Sequence, residues 1–209
     1  MVSSEGEICS LALGEVGDIP IVDLTDDSDR ARLCLRLYAP TRDRCLRTHP
    51  WTFATVRVAL AASASTPIDL WEGYTYQFPL PSDCLRVLDT SLSDPRQPYK
   101  VELLPGTGKV ILTDSSTLSI KYIKRVEDVG LYDDIFVFAL KHLLASQLAI
   151  PLIHDSALAK TQFALFKDCL QEARTTNGME GTLEVFQVND LIDVRNGLSE
   201  IPDKRSGWI

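Results

Sequence analysis

Apolar residues recur at helical spacing near both ends of the chain and alternate with polar ones between them. The first helical stretch is Ile8 to Val16, with Ile8, Leu11, Ala12 and Val16 on one face and Gly17 as its stop. A loop rich in Pro and Asp follows from Asp18 to Asp29, where Thr25, Asp26, Asp27 and Ser28 offer caps for the next helix. That helix is expected over Ser28 to Thr48. Ala31, Cys34, Leu35, Tyr38, Cys45 and Leu46 line one side, and Arg30, Arg32, Arg36, Arg42, Arg44 and Arg47 lie mostly elsewhere. Pro40 lacks an amide hydrogen and is expected to kink or split the helix. From Trp51 to Leu60 no period dominates, so helix and strand both stay open.

Ser63 to Pro67 reads as a connector of small residues, after which alternation takes over. Tyr74 to Phe78, Cys84 to Asp89, Lys100 to Leu104, Lys109 to Thr113 and Leu118 to Val126 read as strands. Turn residues at 105–108 and 113–116 predict that neighbouring strands pair as a meander. Helical spacing returns after Asp133 and Asp134, whose charges suit a helix N-terminus, and continues to Ile150 with Pro151 as its end. Asp155 or Ser156 caps a second long helix that stops at Asn177-Gly178. The apolar stripes of these two helices predict an antiparallel pair. The most apolar run, Ile135 to Ile153, is interrupted by Lys141, His142, Gln147 and Pro151, which marks a core helix instead of a membrane span. The chain ends Arg205-Ser206-Gly207-Trp208-Ile209, and a terminal Trp-Ile favours docking on the domain or on a partner.

Composition narrows the function more than the fold. At 209 residues, 45% hydrophobic and 24% charged, the chain can bury one good core and is not generally disordered. A net charge of -8 argues against generic nucleic-acid binding, which needs clustered Lys and Arg. The arginines from Arg30 to Arg47 are interspersed with Asp29 and Asp43, so they make a weak nucleic-acid module. Cys9, Cys34, Cys45, Cys84 and Cys169 are odd in number and form no C-x-x-C pair, which points to reduced, structural thiols and a cytoplasmic origin. The N-terminus opens Met-Val-Ser-Ser-Glu without the basic flank of a signal peptide.

Candidate chemistry is sparse. Pro105-Gly106-Thr107-Gly108-Lys109 resembles a phosphate loop only superficially: Leu103 stands where the first Gly belongs, Val110 where Ser or Thr belongs, and a strand follows. His49, His142 and His154 have no ligand at metal spacing, and no nucleophile elbow occurs. Asp26/Asp27 and Asp133/Asp134 sit where caps are expected. No catalytic, cofactor-binding or metal site is therefore expected. Trp71, Tyr74, Tyr76 and Phe78 alternate with polar residues, so Tyr74, Tyr76 and Phe78 share a face that either packs on the helices or anchors an interface.

Two groups of motifs carry a resemblance. The first is Ile8-Cys9-Ser10-Leu11-Ala12-Leu13-Gly14, Ala31-Arg32-Leu33-Cys34 with Tyr38, and Leu46-Arg47-Thr48-His49-Pro50-Trp51-Thr52-Phe53-Ala54. The second is Trp71-Glu72-Gly73-Tyr74-Thr75-Tyr76 with Leu80-Pro81-Ser82-Asp83-Cys84-Leu85-Arg86-Val87. Together they resemble the tail tubular protein A family, the head-to-tail adaptors of short-tailed phages, with specific motifs over residues 8–87 and looser agreement to 178. The resemblance implies an α+β chain: an antiparallel helical bundle with an inserted small antiparallel β domain and an extended C-terminal tail. Residues 1–62 would be the N-terminal helices, 63–130 the β domain, 131–178 the C-terminal helix pair and 179–209 the tail.

The same resemblance implies a structural virion protein of the tail or neck, without enzymatic activity or cofactor. A ring of about twelve copies would join the portal to the tail nozzle and surround passing DNA without contact to a membrane. Trp208, Ile209 and Arg205 are then candidates for the portal interface, and Trp71, Tyr74, Tyr76 and Phe78 for the tail interface or packing of the β domain. A long-tailed phage's neck adaptor fits the same physics. A virion-associated glycan hydrolase, using Asp83 or Glu72 near the aromatic strand, is the alternative from another class, and it lacks a carboxylate pair. Deleting residues 203–209 is expected to weaken portal binding while leaving the far-UV circular dichroism and melting temperature unchanged; unaltered affinity would remove the tail from that contact.

Overall fold

Ser4 begins the ordered helical layer: its hydroxyl accepts the Glu7 amide at 3.2 Å and starts α1, Glu5–Val16. Gly17 closes that helix with a left-handed φ of 80°. The computed structural model describes residues 2–64, 73–92, 98–104 and 108–180, with side chains described up to 176. Trp71, Glu72, Arg205, Trp208 and Ile209, and most of the segment 179–209, lie outside the described residues.

Helix α2, Asp29–Thr48, is capped by Ser28, whose hydroxyl accepts the Ala31 amide at 3.2 Å. It passes through Pro40 as one element, so of the expected kink or split the split does not occur. Pro40 is on the exposed side of the helix, where a carbonyl without its helical partner costs least because it can face solvent. The ambiguous segment resolves into a 3-10 turn, Thr52–Ala54, and strand β1, Thr55–Leu60. The strands β2 Tyr76–Pro79, β3 Cys84–Thr90, β4 Tyr99–Leu104, β5 Gly108–Thr113 and β6 Leu118–Lys124 follow, then helices α3 Asp134–Ile153 and α4 Ser156–Glu180. The described residues are thus α+β, with four α-helices and two three-stranded antiparallel sheets ordered β1-β6-β3 and β2-β5-β4.

Several boundaries and pairings differ from expectation. Only β4 and β5 pair as sequence neighbours. β1 pairs with β6 from Thr55↔Ile123 to Leu60↔Leu118, so the sheet region starts ahead of the division expected after residue 62. Helix α3 continues past Pro151 to Ile153, where His154 takes φ 58° and the Asp155 amide reaches back to the Ala149 carbonyl at 3.4 Å. A proline ends a helix only when the turn it interrupts is not held otherwise, and this cap holds it. Helix α4, capped by Asp155 Oδ1 through the Ala157 and Leu158 amides at 2.8 and 3.0 Å, runs past Asn177-Gly178 to Glu180.

Strand β6 supports two cores because its faces differ. Leu118, Ile120 and Tyr122 point into a cluster with Phe78, Cys84 and Ile111, which joins the two sheets. Ile123 points the other way, into the main core with Ile8, Leu46, Phe136, Leu140, Leu144, Phe166 and Leu170. Two register shifts in β3, after Cys84 and after Val87, allow Leu85 and Leu88 to reach that helical core while Cys84 and Val87 serve the sheet core. At the junction Phe136 sits within 4.7–5.1 Å of the Tyr132, Trp51 and Phe53 rings, all edge-on. The polar ends of this group are satisfied: Trp51 Nε1 donates to the Cys45 carbonyl at 3.1 Å and Tyr132 Oη to the Val126 carbonyl at 2.9 Å.

Polar ties fix the helices to one another. Buried Arg42 on α2 meets Asp43 at 3.0 Å, Glu127 at 3.5 Å and Glu5 at 3.8 Å, while Arg125 meets Asp43 at 2.8 Å. Those pairs join α1, α2 and the exit of β6, and a buried guanidinium needs such company. Lys141 on α3 meets Glu15 on α1 at 2.6 Å. Gln162 on α4 lies 2.7 Å from His142 Nδ1 and donates to the Glu15 carbonyl at 3.2 Å. Gln162 therefore ties α4 to α1 as well as to α3. Helix α3 is long and apolar enough to cross a membrane by length and composition, and half of it is buried in this core.

Replacing Phe136 by Ala is expected to cost about 3–5 kcal/mol in urea unfolding, because its ring is wholly buried at the junction of both layers. A loss below about 1 kcal/mol would show that the junction collapses around the gap.

Candidate functional site

The residues that sequence reading singled out divide between packing and surface. Phe78 is wholly buried and Tyr76 half-buried, both in the cluster between the sheets. Their packing partner is therefore the other sheet, where the helices were expected. Tyr74 precedes β2 and is half-buried. Asp83 is engaged structurally, with Lys124 at 3.7 Å and the Tyr122 hydroxyl at 3.4 Å. Asp26 Oδ2 accepts the Val22 and Asp23 amides at 2.9 and 3.3 Å, which orders the loop before α2, and Asp27 pairs with Arg32. Among the described residues no cluster of His, Cys, Asp or Glu could hold a metal ion.

The cysteine thiols of Cys9, Cys34, Cys45 and Cys84 are buried and free, and Cys169 is half-buried. Burial pushes the Cys45, Cys84 and Cys169 thiols up from their ordinary value, which keeps them protonated and poorly nucleophilic.

His49 sits at the turn between α2 and the sheet region, only 3% exposed, with its ring edge-on to Trp51 at 4.8 Å. Burial, and then the charge of Arg174, hold its pKa below the usual 6.5. The ring is thus a packed element of the junction.

Two exposed surfaces stand out among the described residues. The first is β4, an edge strand of its sheet, all but its last residue exposed. Val101 opposes Ile111 and Tyr99 opposes Thr113, so Tyr99, Val101 and Leu103 line one face; they are 41%, 47% and 75% exposed. The charge-free alternation of this face was visible in sequence; its place at an edge was not, because pairing order depends on distant strands.

The second is an open groove of ≈ 590 Å³ lined by Pro50, Thr52, Thr55, Arg57 and Lys121. It runs between the turn after α2 and the helix-side face of the β1-β6-β3 sheet, beyond the part that Ile123 buries. Arg57 and Lys121 are direct cross-strand partners. Arg86, opposite Ile123, adds a third cation to that face, and donates to the Arg47 carbonyl at 3.3 Å. None of Arg47, Arg57, Arg86 and Lys121 has an ion-pair partner among the described residues. Sequence reading missed this group, since its members come from α2, β1, β3 and β6.

No protein-family model matches the chain, and no curated protein matches it. The functional assignment therefore rests on the surfaces themselves and on the motif resemblance.

The unfolded chain protonates His49 near pH 6.5, whereas the folded chain resists until lower pH. Stability is accordingly full above that value and falls as pH drops through 6.5 toward the folded pKa. Urea midpoints at pH 7.5 and 5.5 should differ for the wild type, and the difference should shrink in His49→Asn; an equal difference would clear His49 of the effect.

Proposed function

We propose that this chain is a head-to-tail adaptor subunit of a bacteriophage virion, acting by binding without turnover. The observation that supports it most is β4: an edge strand bearing Tyr99, Val101 and Leu103 on one exposed face. A free edge with an apolar face is a liability in a solitary molecule and an asset in an assembly. Phe138 and Ile150 on α3, each more than half exposed, extend the same argument to the helical layer, where neighbouring subunits would pack. The resemblance of residues 8–87 to tail tubular protein A supplies the kind of assembly.

In this reading the helices form an antiparallel bundle, the β region is an insertion, and residues 179–209 are an extended tail. About twelve copies form a closed ring around the DNA path, since head-to-tail contacts close only with cyclic symmetry. The tail, with Arg205, Trp208 and Ile209, docks on the portal, and the β lobe faces the nozzle. Each contact is weak alone and is multiplied by the ring through effective concentration. Asp83 already serves Lys124 and Tyr122, which leaves the glycan-hydrolase alternative without a free acid at that position.

Native mass spectrometry of the full chain, alone and with a cognate portal, tests the assignment. A closed ring, or a monomer that assembles only on the portal, is expected, and Leu103→Lys should weaken ring or nozzle binding at least tenfold, roughly the worth of one buried anchor. A monomer indifferent to portal and nozzle alike would overturn it.

A further inference from the structure

A pair of like charges set directly opposite each other on one sheet face is destabilising, and sheets normally avoid it. Arg57 and Lys121 form such a pair in the groove below Pro50 and Thr52. Their Cβ atoms are roughly 5 Å apart by the geometry of opposed residues, so both cationic heads reach a common point above the sheet. The one carboxylate on the adjoining strand is Asp89, which opposes Lys121. Asp89 Oδ1 accepts the Thr90 amide at 2.8 Å and makes no ion pair among the described residues, so one carboxylate stands against the three cations Arg57, Lys121 and Arg86. Arg86 lies one rung away on the same face, and Arg47 lies beside Arg86. Arg57, Lys121 and Arg86 thus share one sheet face of a chain whose net charge is -8. By contrast Arg30, Arg32, Arg42, Lys124, Arg125 and Lys141 each have a carboxylate.

We propose that this groove is an oxyanion site, in which Arg57 and Lys121 clamp a phosphate group between them and Thr52 borders it. A guanidinium supplies planar paired donors and an ammonium a compact charge, a combination that suits a phosphoryl oxygen set. The Thr55 hydroxyl is already committed to the Trp51 carbonyl at 2.7 Å and holds the groove wall in place. The Thr52 hydroxyl, on the opposite lip, has no such commitment among the described residues. A bound phosphate anion converts the repulsion between Arg57 and Lys121 into two attractive contacts. Two sources have this chemistry, free inorganic phosphate and the phosphodiester backbone of DNA. The inference holds for the isolated chain whether or not it forms a ring.

The test uses the full chain in chloride buffer at matched ionic strength, so that general salt effects are common to all samples. Wild type, Arg57→Gln, Lys121→Gln and the double variant are melted with and without sodium phosphate. Without phosphate the double variant should melt higher than wild type, because the repulsion is gone. Phosphate should raise the wild-type melting temperature and leave the double variant near its starting value. Isothermal titration with inorganic phosphate should show affinity at least tenfold weaker in the double variant, and Arg57→Lys should retain most of it. A short DNA duplex that competes with phosphate, and whose binding weakens with salt, identifies the backbone as the source; phosphate binding without duplex binding identifies the free ion. Equal phosphate shifts in wild type and double variant would overturn the site, as would a double variant that melts lower than wild type in chloride.

Discussion

Burial of β6 on both faces is the constraint on which the remaining architecture depends. A strand has period two, so alternate residues of β6 must satisfy two different environments. Leu118, Ile120 and Tyr122 meet the second sheet, and Ile123 meets the helices. A slip of one residue would exchange these roles at once and set Lys121 and Ser119 into the sheet core. The pairings that flank β6 prevent that slip from opposite sides. β1 pairs in unbroken register, while β3 pairs with two shifts that let Cys84 and Val87 face one core and Leu85 and Leu88 the other.

The helical layer follows from the same boundary. Ile123 sets where the helices stop covering the sheet, and Phe136, Trp51, Phe53 and Tyr132 fill the corner beside it. Arg42 and Asp43 then tie α2 to the residues that leave β6, through Glu127 and Arg125. Past Ile123 the same sheet face is bare, and there the groove and its cations lie. The surfaces on which the proposals rest are among those the two cores leave exposed: the β4 edge, the outer side of α3 at Phe138 and Ile150, and the sheet face at Arg57 and Lys121.

Most of the secondary structure was legible in the sequence because it is set locally. Ser28 caps α2, Gly17 ends α1, and the alternation over 118–126 marks a strand. What was not legible is set at a distance. Nothing near Tyr76 or Phe78 states that their partner is a second sheet, and nothing near Thr55 states that it will pair with Ile123. The two prolines teach the same lesson in reverse: Pro40 and Pro151 are strong local signals, and both helices nonetheless continue through them, held by packing on their inner faces. The cationic groove was invisible because its residues are brought together only by strand order. The segments holding Trp71 and Trp208 lie outside the described residues, so the roles expected of them rest on the sequence.

The Thr55↔Ile123 rung has a mechanical consequence. It is where the chain enters β1 and nears the end of β6, with residues 56–122 in between and both strands anchored to the same helical layer at that end. Tension that draws those two points apart would open the ladder one rung at a time, like a zipper. Tension along the strands would instead load all the rungs from Thr55 to Leu60 together. The β1–β6 ladder therefore resists sliding far better than peeling, and the direction of pull decides how firmly the β lobe stays attached.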